Sequence, residues 1–152
     1  KSRDQAKYQK PTYGNTIGSN FDLFERKEPM IKTIQDDLTR IASDSIKSDI
    51  FIVASFFTIF RSGGGLTSHT HLNRLDKLNG LNLGMRKYSL VYYLLVGDQN
   101  CDEPGILKLE EPSQDILPSN GMIVMFPAER RHSVFYKGKK DRIIIGVNFY
   151  KL

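Results

Sequence analysis

A mainly β, single-domain protein with one amphipathic helix is the fold class this sequence predicts, on three observations. Short runs rich in β-branched and aromatic residues recur from residue 50 almost to the last residue. The breaks between them carry Gly, Pro and Asp turn chemistry, and one stretch alone, near the start, has helical spacing. The 152 residues match the length of one domain, and nine Phe with seven Tyr give enough apolar bulk for a packed sheet core, which argues against disorder. Too little helix lies between successive runs for βαβ crossovers, so a sandwich or barrel of short strands is expected.

Residues 1 to 20 are polar and broken by Pro11, Gly14 and Gly18, which reads as an arm or loop. From Pro29 to Ala42, Met30, Ile31, Ile34, Leu38 and Ile41 recur at intervals of three and four, predicting a helix over 29–42 with Pro29 in its first turn and Ser43 with Asp44 at its exit. Residues 1–48 are therefore expected to form an arm and helical layer, and 49–152 the β core, of one structural domain. Strands are expected over 50–60, 88–96, 106–109, 122–126, 132–136 and 143–150, separated by Gly63-Gly64-Gly65, Gly97-Asp98, Pro104-Gly105, the turn from Pro118 to Gly121, and Gly138. The polar segment 72–85, with Asn79-Gly80 and Gly84, is expected to be a mobile loop.

Composition closes off several functions. The most apolar stretch, 50–60, is far short of the roughly 18 residues a membrane helix needs. A single cysteine, Cys101, forms no internal disulfide and no cysteine-rich zinc site; it fits a reducing compartment, and a cytoplasmic location is expected. No secretory leader is visible in the polar run 1–10. The net charge of +5 is mild, and Lys137 to Lys140 lack the interleaved aromatics that would favour nucleic acid as a partner. Gly63-Gly64-Gly65 is not followed by the Lys and hydroxyl residue of a phosphate loop, no serine sits in a nucleophile elbow, and Cys101 lies in an acidic turn that disfavours a reactive thiolate.

The three histidines carry the chemistry. In Ser68-His69-Thr70-His71 an extended backbone points both imidazoles to one face, where they can converge on a divalent cation; neutral imidazole is the commonest protein ligand for iron, zinc or copper. The pair alone also fits two surface histidines. His132 adds a third ligand between two strand-like runs, and Arg142 follows ten residues later. If the strand ending at Tyr136 returned through an odd loop, Arg142 would lie on the face of His132, on the neighbouring strand. A guanidinium there could grip the far carboxylate of a bound dicarboxylic acid.

These residues together resemble the 2-oxoglutarate- and iron(II)-dependent oxygenases, and within them the small prolyl-hydroxylase-like branch. The likeness rests on the histidine pair after a Gly-rich turn, the run from Tyr88 to Leu94, Pro104-Gly105-Ile106-Leu107, the run from Gly121 to Pro127, His132 and Arg142, in that order over about residues 50 to 150. It implies a double-stranded β-helix, or cupin-like jelly roll, with an N-terminal helical buttress. It implies iron(II) on His69, His71 and His132, and Arg142 on the distal carboxylate of 2-oxoglutarate, helped by Tyr92 or Tyr93, of which strand alternation lets one face inward. The implied activity is a dioxygenase, a hydroxylase that couples decarboxylation of 2-oxoglutarate to succinate with hydroxylation of a C–H bond. Its partners would be the cosubstrate, O2, and a peptide side chain or small metabolite. Two positions depart from the pattern: His71 stands where most of the wider superfamily has Asp, and Ile144 where many relatives have a hydroxyl residue.

Two other readings compete. A cupin-type metalloprotein that does not use 2-oxoglutarate would employ the same histidines, with Asp76 as a further candidate ligand five residues after His71; Glu129, where the second cupin motif prefers Gly, counts against it. A non-catalytic jelly-roll binding module would act through Arg130, Arg131 and the lysines of 137–140.

Overall fold

The computed structural model describes residues 11–78 and 80–152; the first ten residues of the expected arm, and Asn79 of the expected loop, lie outside the described residues. The elements are β1 (Thr12–Tyr13), β2 (Thr16–Gly18), α1 (Pro29–Ile46), β3 (Ile50–Phe60), β4 (Gly64–His69), α2 (Leu83–Arg86), β5 (Lys87–Leu95), β6 (Leu107–Leu109), β7 (Gln114–Ile116), β8 (Ile123–Pro127), β9 (His132–Tyr136) and β10 (Arg142–Lys151), with 3₁₀ turns at Leu23–Glu25 and Leu75–Lys77. They form two antiparallel five-stranded sheets, ordered β1-β4-β9-β6-β7 and β2-β3-β10-β5-β8. This is the expected mainly β jelly roll.

The larger sheet has two apolar faces because it is covered twice. On its outer face Leu90, Ile145, Val147 and Phe149 pack against Leu38 and Ala42 of α1, with Ile31, Ile34 and Ile46 at the margins. The buried stripe is thus 31, 34, 38, 42, and Met30 stays exposed. The helix also runs four residues past the expected exit, to Lys47 in a left-handed conformation, since Ser43 and Asp44 do not stop a helix whose next turn buries Ile46. On the inner face Phe60, Tyr93 and Ile144 meet Val134 and Tyr136 of the smaller sheet.

Three differences from the sequence-based expectation shape the interior. Residues 12–18 form β1 and β2, which pair with the edges of β4 and β3, so this part of the arm closes one side of both sheets. The Gly64–Gly65 pair lies inside strand β4 rather than in a turn. Most important, β9 and β10 are not a hairpin: they belong to opposite sheets. The Tyr136 hydroxyl donates to the Lys140 carbonyl at 2.6 Å and accepts from the Asp98 amide at 2.7 Å, so the link 137–141 folds over the barrel end and delivers Arg142 to the facing sheet.

Candidate metal centre

His69 and His132 are partners across β4 and β9. Gly64 pairs with Tyr136 and Leu66 with Val134, but an irregularity between Leu66 and His69 adds one residue to β4. In a regular ladder Ser68 would oppose His132 and His69 would turn to the opposite face; the bulge turns it inward. His71 follows just beyond the strand, held by its amide to the Ala128 carbonyl at 2.8 Å. One ligand nitrogen from each ring falls within 4.8 Å of the others, and ring centroids are 4.2 to 5.0 Å apart. The three histidines are therefore close enough to bind one metal ion.

Their hydrogen bonds orient the rings. His69 Nδ1 donates to the Thr67 carbonyl at 2.7 Å and His132 Nδ1 to the Arg130 carbonyl at 3.1 Å, because a carbonyl can only accept. Each then presents its Nε2 lone pair to the centre. His71 Nε2 lies 3.1 Å from His132 Nε2, and its Nδ1 lies 3.3 Å from Asn148 Nδ2, whose Oδ1 accepts from the Ser89 hydroxyl at 2.7 Å. Burial holds the His71 imidazole down to about 2 and the other two rings oppose its charging further; burial likewise lowers His132 to about 4 and depresses His69. All three rings are neutral at pH 7, the state that ligates metals.

A cavity of about 350 Å³ opens on His69 and His71, walled by Phe21, Ala54, Phe56, Leu66 and Leu72, with Thr58, Asn73, Lys87 and Asn148 as its polar points. Phe56 has room because its partner on β10 is Gly146, where a Cβ would stand 2.3 Å from the Phe56 ring. Lys87 is neutralised in the wall: its ammonium donates to Asp76 at 2.7 Å, with both side chains buried. Asp76 also accepts from the Asn73 amide and the Tyr150 hydroxyl; burial pushes its carboxyl up, but these donors together hold it below its ordinary value. Asp76 is thus occupied away from the histidines.

Arg142 is 1% exposed and points into the same interior. Its guanidinium lies 5.1 Å from the Tyr93 ring and 5.8 Å from the Tyr136 ring, and Nη1 donates to the Pro104 carbonyl at 3.0 Å. Gly105, at a φ of +82°, permits this approach, since a Cβ there would stand 1.9 Å from Nη1. Arg142 Nε is buried with no hydrogen-bond partner among the described residues. The guanidinium is not on the wall of the 350 Å³ cavity; it sits behind it, past Val134 and Ile144, which take the intervening inward positions on β9 and β10. Tyr93 is the inward tyrosine, whereas Tyr92 packs on the outer face with the α1 cluster.

The basic residues of the alternative reading are engaged locally. Arg130 donates to the carbonyls of Glu110 and Pro112, and Arg131 to Ser68. Sequence reasoning missed Asn148, Ser89 and Lys87. A signal for Asn148 did exist: it stands six residues after Arg142, in inward phase, as a polar residue in an apolar strand.

No protein-family model matches the chain, and no curated protein sequence matches it. Solved structures do. A viral collagen prolyl hydroxylase from Paramecium bursaria Chlorella virus 1, solved as a 2-oxoglutarate complex, superposes with a TM-score of 0.68 at 15% identity, over 91% of this chain and 80% of that one. HygX from Streptomyces hygroscopicus, solved with nickel and 2-oxoglutarate, gives 0.68 at 13% identity, over 94% and 74%. An oxidoreductase of the 2OG-Fe(II) oxygenase family from Burkholderia pseudomallei gives 0.58 at 17% identity over 80% of this chain, which spans 56% of that structure's length. The fold implied by the sequence resemblance is thus the one observed: this chain has the double-stranded β-helix fold of these oxygenases.

Proposed function

We propose that the chain is a 2-oxoglutarate- and iron(II)-dependent dioxygenase, a hydroxylase, with His69, His71 and His132 holding the iron and Arg142 with Tyr93 holding the distal carboxylate of the cosubstrate. The observation that carries the reading is the unpartnered, buried Arg142 Nε, deep in the barrel that also holds the three imidazoles. A buried donor without an acceptor costs roughly 1–3 kcal/mol and more when charged, so the site fits an anionic group that completes it. The donor set fits as well: three neutral imidazoles suit iron(II) and other borderline divalent metals.

Iron(II) with 2-oxoglutarate and O2 would supply an oxidant able to hydroxylate an unactivated C–H bond while the cosubstrate leaves as succinate and CO2. The chain's own residues position and shield. Arg142 would grip the far carboxylate, Val134 and Ile144 would flank the methylene chain, and Phe21, Phe56, Leu66 and Leu72 would keep water from the cavity. A peptide side chain or a small metabolite would enter past β1 and β2.

The test is anaerobic addition of iron(II) and 2-oxoglutarate, read by the weak visible charge-transfer band of the ternary complex and, on admitting O2, by succinate. Arg142→Ala should keep the metal and lose the cosubstrate. The position of Arg142 behind the cavity wall favours one alternative, a cupin-type metalloprotein without 2-oxoglutarate. Metal binding with neither band nor succinate in the wild type would select that alternative.

A further inference from the structure

The bulge that turns His69 inward is tied down from outside the barrel. Because Leu66 pairs with Val134 and His69 with His132, Thr67 and Ser68 of β4 together face Ser133 of β9. Thr67 and Ser68 are both exposed, and neither is a glycine that would favour a bulge by itself, so the extra residue is held by its partners. Three contacts converge on Ser68. Arg131 Nε donates to its hydroxyl oxygen at 3.2 Å and Arg131 Nη2 to its carbonyl at 3.1 Å, a fork that grips side chain and backbone of one residue. The Ser68 hydroxyl in turn donates to one carboxylate oxygen of Glu110, whose other oxygen lies 3.8 Å from Arg131 Nε. Backbone sets both partners, since the Glu110 amide donates to the Arg131 carbonyl at 2.9 Å. Ser68 precedes His69 just as Arg131 precedes His132, so the fork on the outer surface joins the same two places in the chain that converge inside.

We propose that Arg131, seconded by Glu110, is a positioning residue for the metal centre: its fork on Ser68 holds the β4 bulge in the register that keeps His69 among the ligands. This rests on the metal-binding part of the function proposed above, not on 2-oxoglutarate. The competing register is one residue away. A regular ladder puts Ser68 opposite His132, turns His69 to the outer face and regains the pairing that the bulge forgoes. Gly64 to Leu66 already stand in that register, and His71 keeps its own anchor, the amide bond to the Ala128 carbonyl, with Thr70 taking up the slack. The slip therefore removes one imidazole from the centre and leaves the rest of the sheet in place. A lysine at position 131 would offer a point charge without the planar fork and could restore only part of the grip.

The experiment loads the whole chain with cobalt(II) and reads its 1H NMR spectrum. Each coordinated imidazole gives one exchangeable N–H resonance shifted far downfield by the paramagnetic ion, so the spectrum counts ligands whichever ring nitrogen binds. The wild type should show three and Arg131→Met two, with cobalt affinity by titration lower by about 10- to 100-fold in the variant and partly recovered in Arg131→Lys. The thermal midpoint of metal-free Arg131→Met should stay close to that of the wild type, since half-exposed ion pairs contribute little to stability. A lowered midpoint with three resonances retained would mark a merely structural role and overturn the proposal. Should Arg131→Met fail to fold, Ser68→Ala, which removes the hydroxyl that both partners share, decides instead: weaker cobalt binding supports the clamp, and undiminished binding overturns it. Fewer than three resonances in the wild type overturn it together with the metal reading, whereas three in both wild type and Arg131→Met at equal affinity overturn the clamp alone.

Discussion

Three neutral imidazoles facing one another in a barrel interior are opposed by acid. In the unfolded chain each takes a proton near about pH 6.5, whereas burial holds His132 down to about 4 and His71 to about 2 in the folded state. Below the unfolded value the unfolded chain binds more protons, so folded stability is complete above about pH 6.5 and is lost as pH falls toward the folded values. Thermal unfolding of the metal-free protein at pH 7.5, 6 and 5 should therefore show a midpoint that drops stepwise, and His71→Phe should flatten part of the drop. A midpoint independent of pH over that range would contradict the burial and mutual repulsion described for these rings. Single-residue chemistry was also the most legible layer of the sequence. The histidine spacing picked out rings that the fold brings close enough to bind a metal ion, because imidazoles two apart in an extended segment carry their meaning locally. Ser89 was hidden, and the phase of Asn148 marked it as inward without giving its role, because a polar residue inside an apolar strand gains its role from what lies opposite.

At the scale of elements, the segment between β4 and β5 is fastened rather than loose at its first turn. Asp76 joins Lys87 at the start of β5 and Tyr150 near the end of β10, and its backbone amide donates to the Asn73 side-chain oxygen. Removing one member of a buried ion pair costs about 3–5 kcal/mol, because the remaining charge is left unpaired. Asp76→Asn should accordingly lower the thermal midpoint by about 6–20 °C for a chain of this size and leave the Lys87 ammonium uncompensated beside the cavity. A shift under about 2 °C in differential scanning calorimetry would mean that the pair is not buried as described. The expected strands over 50–60 and 132–136 match β3 and β9 to the residue, since long β-branched runs bounded by turns have one reading. β1, β2 and β7 have two or three residues each and owe their pairing to neighbouring edges, which no local pattern records. The β4 bulge was equally invisible, yet it is what aims His69.

At the scale of the whole molecule, the centre exists only when the two sheets face each other. His69 and His132 come from the smaller sheet, while Asn148, Arg142 and Tyr93 come from the larger. The sequence put Arg142 on the strand beside His132, whereas the two residues lie on facing sheets. A separation of ten positions suggested a hairpin, and the chain instead crosses the barrel end, because the Tyr136 hydroxyl ties down the link. X-ray absorption on the cobalt- or iron-loaded protein, with metal counted per chain, tests the central assignment most directly. One ion per chain with three imidazole nitrogens in its inner coordination is expected, falling to two with much weaker binding in His132→Ala. One imidazole or none per ion, or undiminished affinity in that variant, would contradict it.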